Sequence, residues 1–313
     1  MKAGLCSYGT LMVLRGGIVA QALGMAVHEY CIVMPKYVEC VRETPWIAPW
    51  GARLCRVIRG YGPLGLGAAV RASGVKTRFS PYHGAQVPVA HPWDVELYMA
   101  PPIALKEAVR RGELDVVEVL YSLLDLGVSI TELGLTGSRA LSYSHALSDV
   151  DLVVYGPNAE VMYEVFKSMG KVWDPAGKSD LGGVTIEPRA DLSWRRRVIG
   201  PRRTRATWIG APVRPLEHCP PLRRQETGPD PPAKPVRTLT RIEPGQLGAL
   251  MYPPCVKTSE GEWVVSYEYN VAGVLYKGGR LEISGLASDG DIIFLGLREY
   301  PGALKIYEEK DAT

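Results

Sequence analysis

Asp149 and Asp151 stand two residues apart in an apolar run, SDVDLVVYG, and on a strand that spacing sends both carboxylates from one face. Two carboxylates held side by side suit a divalent cation, Mg2+ or Mn2+, which can bridge the phosphate oxygens of a nucleotide and steady a departing pyrophosphate. Upstream, Gly137-Ser138 follows a short strand and opens a helix. Backbone N–H groups and the Ser138 hydroxyl at such a turn can face a phosphate with help from the helix dipole, and Arg139 beside them is a further candidate contact. A second set, Arg195, Arg196, Arg197, Arg202, Arg203 and Arg205, falls within eleven residues and is flanked by Trp194 and Trp208. It reads either as a phosphate or nucleic-acid contact patch with rings for stacking, or as an exposed basic hairpin.

The elements around these residues follow from periodicity. Ala104 to Gly127 carries Leu105, Ala108, Val109, Val116, Val119, Leu120, Leu123 and Leu124 at helical spacing, with Gly112 able to split it in two. A short strand at Glu132 to Thr136, a helix from Ser138, a strand at Val150 to Tyr155, a helix at Ala159 to Met169 and a strand at Arg205 to Arg214 give the order of an α/β core. Beyond it, HCPPLRRQETGPDPPAKP at 218–235 has a proline density that argues against regular structure and marks a linker. Trp263 to Val271, Arg280 to Ser284, Asp291 to Leu297 and Ala303 to Tyr307 then read as strands between glycine turns, which predicts a β-rich, barrel-like domain. Tyr267, Tyr269 and Tyr276 read either as packing residues of these strands or, in an OB-like barrel, as a stacking surface.

At 313 residues the chain is long enough for two or three domains, and 46% apolar with 22% charged residues favours neither a disordered nor a fibrous protein. The net charge of +3 says little about partners by itself. The six cysteines show no zinc-ligand spacing, cannot be paired from sequence, and leave the redox state open. His145 lies four residues before Asp149, and the remaining histidines form no ligand pattern. The apolar stretches Ala3 to Leu14 and Gly16 to Val27 are too short to span a bilayer, so no membrane partner is expected and the location expected is the cytoplasm. The expected division is a poorly ordered extension at 1–33 with Met34 as the true start, a small α+β module at 34–103, the α/β core at 104–217, the linker at 218–235 and the β-rich domain at 236–313.

Gly-Ser, a helix, then Asp-x-Asp among apolar residues resembles the active-site signature of the DNA polymerase beta superfamily of nucleotidyltransferases. Here ten residues separate Ser138 from Asp149. The longer layout, with SYEYNVAGVLYKGGRLEISG in the tail, resembles a group of archaeal proteins with such a domain. The resemblance implies an α+β fold with a polymerase-beta-like core and metal-binding Asp149 and Asp151. It implies an NTP positioned by Gly137 and Ser138, and transfer of a nucleoside monophosphate to a hydroxyl of a nucleic acid, protein or small molecule. Active members carry a third carboxylate on a following strand. Arg205 to Arg214 contains no acid, and Glu187 and Asp191, which precede it, read rather as surface charge. The alternative expectation is therefore a catalytically inactive relative that binds nucleotide, RNA or DNA.

Overall fold

The computed structural model describes residues 5–58, 63–80, 83, 85–142, 148–169, 184–187, 194–225, 234–288, 291–297 and 300–307. Residues expected to form a loose extension instead begin a sheet. It comprises β1 (Leu11–Leu14), β2 (Ile18–Val27), β3 (Tyr30–Glu39), β4 (Leu54–Arg56), β5 (Thr77–Ser80), β6 (Ala85–Ala90) and β7 (Val95–Met99), with α1 (Pro63–Ser73) before β5. The order is β5-β6-β3-β2-β1-β7, with β4 also on β3. The first strands look like a leader in sequence because both faces are covered. Leu11, Val13, Val19 and Leu23 enter the main core, while Met12, Leu14, Ala20 and Ala22 enter a second cluster with Leu5 and Val33. An apolar side chain is then wanted at nearly every position, and the alternation that marks a half-exposed strand disappears. Met34 lies inside β3, opposite Gln21 of β2. A chain starting there would lack β1 and β2 altogether.

The central layer begins with α2 (Pro101–Arg110) and α3 (Leu114–Asp125), which break apart at Gly112, where φ is +69°. Then come β8 (Leu133–Thr136), α4 (Gly137–Ala140), β9 (Val150–Tyr155), α5 (Asn158–Ser168), β10 (Thr185–Glu187), β11 (Arg196–Ile199) and β12 (Thr204–Ala211). The sheet order is β11-β12-β9-β8, with β9 parallel to β12 and the other pairs antiparallel. Val116, Val119 and Leu123 of α3, and Met162 and Phe166 of α5, are fully buried, and Phe166 meets Trp208 of β12 edge-on at 6.2 Å.

The stretch read as a linker contains α6 (Pro220–Gln225), because prolines at the start of a helix remove only N–H groups that have no intrahelical partner. The C-terminal sheet follows: β13 (Lys234–Ile242), β14 (Cys255–Lys257), β15 (Trp263–Ser266), β16 (Gly279–Ser288), β17 (Ile292–Leu295) and β18 (Ala303–Tyr307). Its order is β10-β18-β16-β17-β15-β14, with β13 on β16. No barrel closes. A single bridge between Ile242 and Thr258 stands where a closing ladder would be needed. The strand read from Trp263 to Val271 ends at Ser266, and Tyr269–Val271 form a 3-10 turn that buries the Tyr269 ring and leads into α7 (Ala272–Lys277). The whole is a mixed α/β architecture with three sheets.

All six cysteines are paired, as Cys6–Cys31, Cys40–Cys55 and Cys219–Cys255. Aromatic rings weld the three layers together. Tyr8 of the N-terminal module lies 4.8 Å from Tyr252, and Trp194 meets both Trp208 at 5.2 Å and Tyr269 at 5.8 Å. The Tyr269 hydroxyl donates to Leu250 O and accepts from Gly210 N, both at 2.7 Å. Among the described residues no helix is long and apolar enough to cross a membrane.

Candidate functional site

Strand β8 ends at Thr136, opposite Asp151 in the β8–β9 ladder, so the Gly-Ser turn and the second aspartate are neighbours by register. Thr136 is fixed in turn by its hydroxyl, which donates to Gly9 O of the N-terminal module at 2.7 Å. Gly137 has φ +70°, and a Cβ there would collide with the Asp151 carboxylate. Only glycine lets the turn close down on the acid. Ser138 is buried beside it in α4.

Burial and the neighbouring Asp151 carboxylate raise the Asp149 pKa to about 6, against the opposing pull of Arg205, Arg139 and Arg196. Burial also raises that of Asp151, opposed by Lys36, Arg195, Arg56 and Arg139. Two crowded, partly desolvated carboxylates that resist ionisation gain from any cation placed between them. Their donor set fits one divalent ion whose remaining ligands are phosphate oxygens and water. Among the described residues, no three His, Cys, Asp or Glu side chains gather to hold a metal ion.

A basic side chain sits against Asp149. Strand β12 runs parallel to β9 with Thr207 opposite Asp151, and stepping back along that register brings Arg205 level with Asp149. Arg205 Nε lies 2.9 Å from Asp149 Oδ1. Glu187 is exposed on β10 and belongs to the C-terminal sheet, paired with β18, which removes it from the site. Asp191 and His145 lie outside the described residues.

Arg139 is buried and committed. Its guanidinium donates to Asp115 Oδ2 at 2.7 Å, to Ser148 O at 2.9 Å and to Asp149 O at 3.2 Å, with Glu113 3.7 Å away. It therefore anchors the backbone entering β9 to α3, a positioning task in place of the expected phosphate contact. On its far side an open pocket of about 440 Å³ is lined by Glu113, Leu114, Asp115, Arg139, Ser142 and Arg202.

The arginine cluster divides. Arg195 reaches across to Asn270 Oδ1 and Trp208 O, fastening the C-terminal layer to the core. Arg197 is buried and donates to Met169 O. The Arg202 backbone N–H and guanidinium engage Glu118. Arg203 is exposed on the β11–β12 turn at φ +57°. Only Arg196 and Arg205 act on Asp149 directly through their charge, alongside Arg139. Trp194 and Trp208 are core residues, so they supply no stacking platform, and Tyr267 and Tyr269 are buried as well.

Lys36 of β3 and Arg56 of β4 were not foreseen. They come from a different sheet, more than ninety residues upstream of Asp149, and no local motif announces them. No family model matches the chain, and no curated protein or solved structure matches it either.

Proposed function

We propose that the chain is a metal-dependent nucleotidyltransferase that moves a nucleoside monophosphate from an NTP to a hydroxyl acceptor and releases pyrophosphate. The observation that carries this reading is the close packing of the Gly137 turn on Asp151, with Asp149 just before the same strand, near enough for the two carboxylates to repel, and six cationic side chains acting on the two acids. With Arg139 set aside because Asp115 and Glu113 engage it, Lys36, Arg56, Arg195, Arg196 and Arg205 still outweigh the two carboxylates, and this surplus favours a polyanion such as a triphosphate. When bound, Mg2+ or Mn2+ at Asp149 and Asp151 would draw charge from the phosphates. The Gly137-Ser138 turn orients the polyphosphate, Arg139 holds the β9 entrance in place, and the cations of β3 and β4 steady the charge of the departing pyrophosphate.

A second reading is favoured by Arg205. A guanidinium where a third carboxylate would activate the acceptor hydroxyl gives a protein that retains nucleotide binding without turnover. Nucleic acid as its ligand draws less support, since most of the arginine cluster is occupied internally. Pyrophosphate release from each NTP with Mg2+ or Mn2+, compared between the wild type and the Asp149→Asn/Asp151→Asn variant, tests the proposal. Release that disappears in the variant supports transfer. Nucleotide binding without release moves the assignment to the second reading, and release unchanged in the variant sinks both assignments of the aspartates.

A further inference from the structure

The C-terminal sheet buries one face and leaves the other open. On β16 and β18 alternate residues go inward, and Leu281, Ile283 and Leu304 are buried in the core of this layer. Arg280 and Lys305 point the other way and are exposed. The ladders align Arg241 of β13, Arg280 of β16 and Tyr307 of β18 side by side across three strands. We propose that this face binds single-stranded nucleic acid, with phosphates on Arg241 and Arg280 and a base stacked on Tyr307.

Three observations carry it. Arg241 and Arg280 stand directly opposite each other in an antiparallel pair, an arrangement in which like charges destabilise a sheet. An anion shared between them turns that cost into attraction. The residues directly across from Arg280 are Arg241 and Tyr307, so neither neutralises it.

The acids of the face do not cancel its cations. By register Arg237 and Lys305 share it with the two arginines, against Glu187 and Glu282. Glu282 is taken by Arg237 at 2.6 Å. Glu243, just beyond β13, lies 3.4 Å from Arg241 Nε, but both side chains are half exposed or more, and water and salt screen such a pair.

Tyr307 then places an aromatic ring beside the arginines, with Lys305 Nζ 5.4 Å from the ring centre. Cations that follow a phosphate backbone next to a ring that takes an unpaired base are the elements of single-strand binding. An anionic lipid or an acidic protein would use the arginines and leave the ring idle, and so would a duplex, whose bases are already stacked. The face is separate from the Arg195 to Arg205 cluster, and the proposal does not depend on a metal at Asp149 and Asp151.

Fluorescence anisotropy of a labelled oligouridylate, titrated over a range of salt, tests the proposal on full-length proteins. The series is the wild type, Arg241→Gln/Arg280→Gln, Tyr307→Ala, Asp149→Asn/Asp151→Asn and, as a charge control on α2, Arg110→Gln. The wild type should bind. The double arginine substitution should weaken binding on the order of tenfold and flatten the log–log salt dependence by about 1.4, two phosphate contacts at about 0.7 each. Tyr307→Ala should also weaken binding on the order of tenfold, with the salt slope unchanged because stacking carries no charge. Arg110→Gln and the aspartate variant should bind as the wild type does. Arg280→Gln alone should melt no lower than the wild type, since it relieves a like-charge pair, which separates lost binding from lost fold. A wild type that does not bind overturns the proposal, and so does a salt slope unchanged in the arginine variant. Equal weakening in Arg110→Gln overturns it as unspecific attraction to charge. Full binding by Tyr307→Ala overturns it in favour of an anion patch suited to lipid or an acidic protein, and loss of binding in the aspartate variant overturns it by moving the oligonucleotide to the acids.

Discussion

Between Leu11 and Val33 the N-terminal sheet places side chains into apolar surroundings on both faces, whereas between Thr136 and Asp151 the central sheet gathers two carboxylates and a buried arginine around one turn. The first region holds by volume and area, and its contacts are interchangeable within limits of size. The second holds by specific partners, so removing one partner leaves a charge without compensation. The two are joined at Thr136, whose hydroxyl grips Gly9 O, and through Lys36 and Arg56, whose charges reach Asp151. The apolar sheet is thus a structural wall of the charged site as well as its support.

That comparison breaks most decisively if the N-terminal sheet proves dispensable. Deleting residues 1–33 removes β1, β2 and part of β3, and should abolish cooperative unfolding as followed by circular dichroism. A truncated chain that melts cooperatively near the full-length midpoint would return the segment to the role of an extension. Next in size is Trp208→Ala in the shared core, where loss of a fully buried ring should cost about 3–5 kcal/mol in denaturant unfolding. A loss below 1 kcal/mol would mean the aromatic junction is not a common core.

Arg139→Met sharpens the contrast within the charged region. It leaves Asp115 and the Ser148 carbonyl without their donor and should cost about 3 kcal/mol, with weakened nucleotide binding following from a displaced β9 entrance. Weakened binding with stability unchanged would instead make Arg139 a direct phosphate contact. The Cys40–Cys55 bridge closes a loop of separation 15, so the Cys40→Ser/Cys55→Ser variant should lose about 3 kcal/mol of stability relative to the oxidised wild type. A denaturation midpoint unchanged in that variant would remove that staple from the account.

The smallest effect near neutral pH, and one that grows in acid, concerns His83. Its ring stacks on Tyr267 of the C-terminal layer at 4.0 Å and accepts or donates a hydrogen bond with Ser80 at 2.9 Å. Although the residue keeps some exposure, desolvation of the ring lowers its pKa to about 3. A histidine whose folded pKa is depressed favours the folded state above its unfolded value near 6.5. That contribution is lost progressively as pH falls toward 3, because the unfolded chain binds the proton first. His83→Gln should flatten the stability profile over that window, and an unchanged slope in urea titrations would place the acid sensitivity elsewhere.

The charged site was the more legible region because its signature is local. Gly137, Ser138, Asp149 and Asp151 fall within fifteen residues, and register alone brings Thr136 opposite Asp151. The helices split at Gly112 and the strand at Val150 to Tyr155 were legible for the same reason. The N-terminal sheet was not, since β1 finds its partner β7 some eighty residues away and its doubly covered faces erase the alternation that announces a strand. Arg139 was read as a candidate phosphate contact because nothing around it in sequence points to Asp115 on another helix. Lys36, Arg56 and the Arg205–Asp149 pair depend on tertiary register, which short-range spacing does not encode. The open form of the C-terminal sheet turns on how β13 meets β14, and strand spacing carries no information on that meeting.

The central claim is that Asp149 and Asp151 take up a divalent ion together with an NTP. Calorimetric titration of ATP, GTP, CTP and UTP with Mn2+ into the wild type and the Asp149→Asn/Asp151→Asn variant tests it most directly. The account predicts Mn2+-dependent binding of at least one nucleotide that the double substitution abolishes while the melting transition stays cooperative. Binding that is equally strong without Mn2+, or equally strong in the variant, would contradict it.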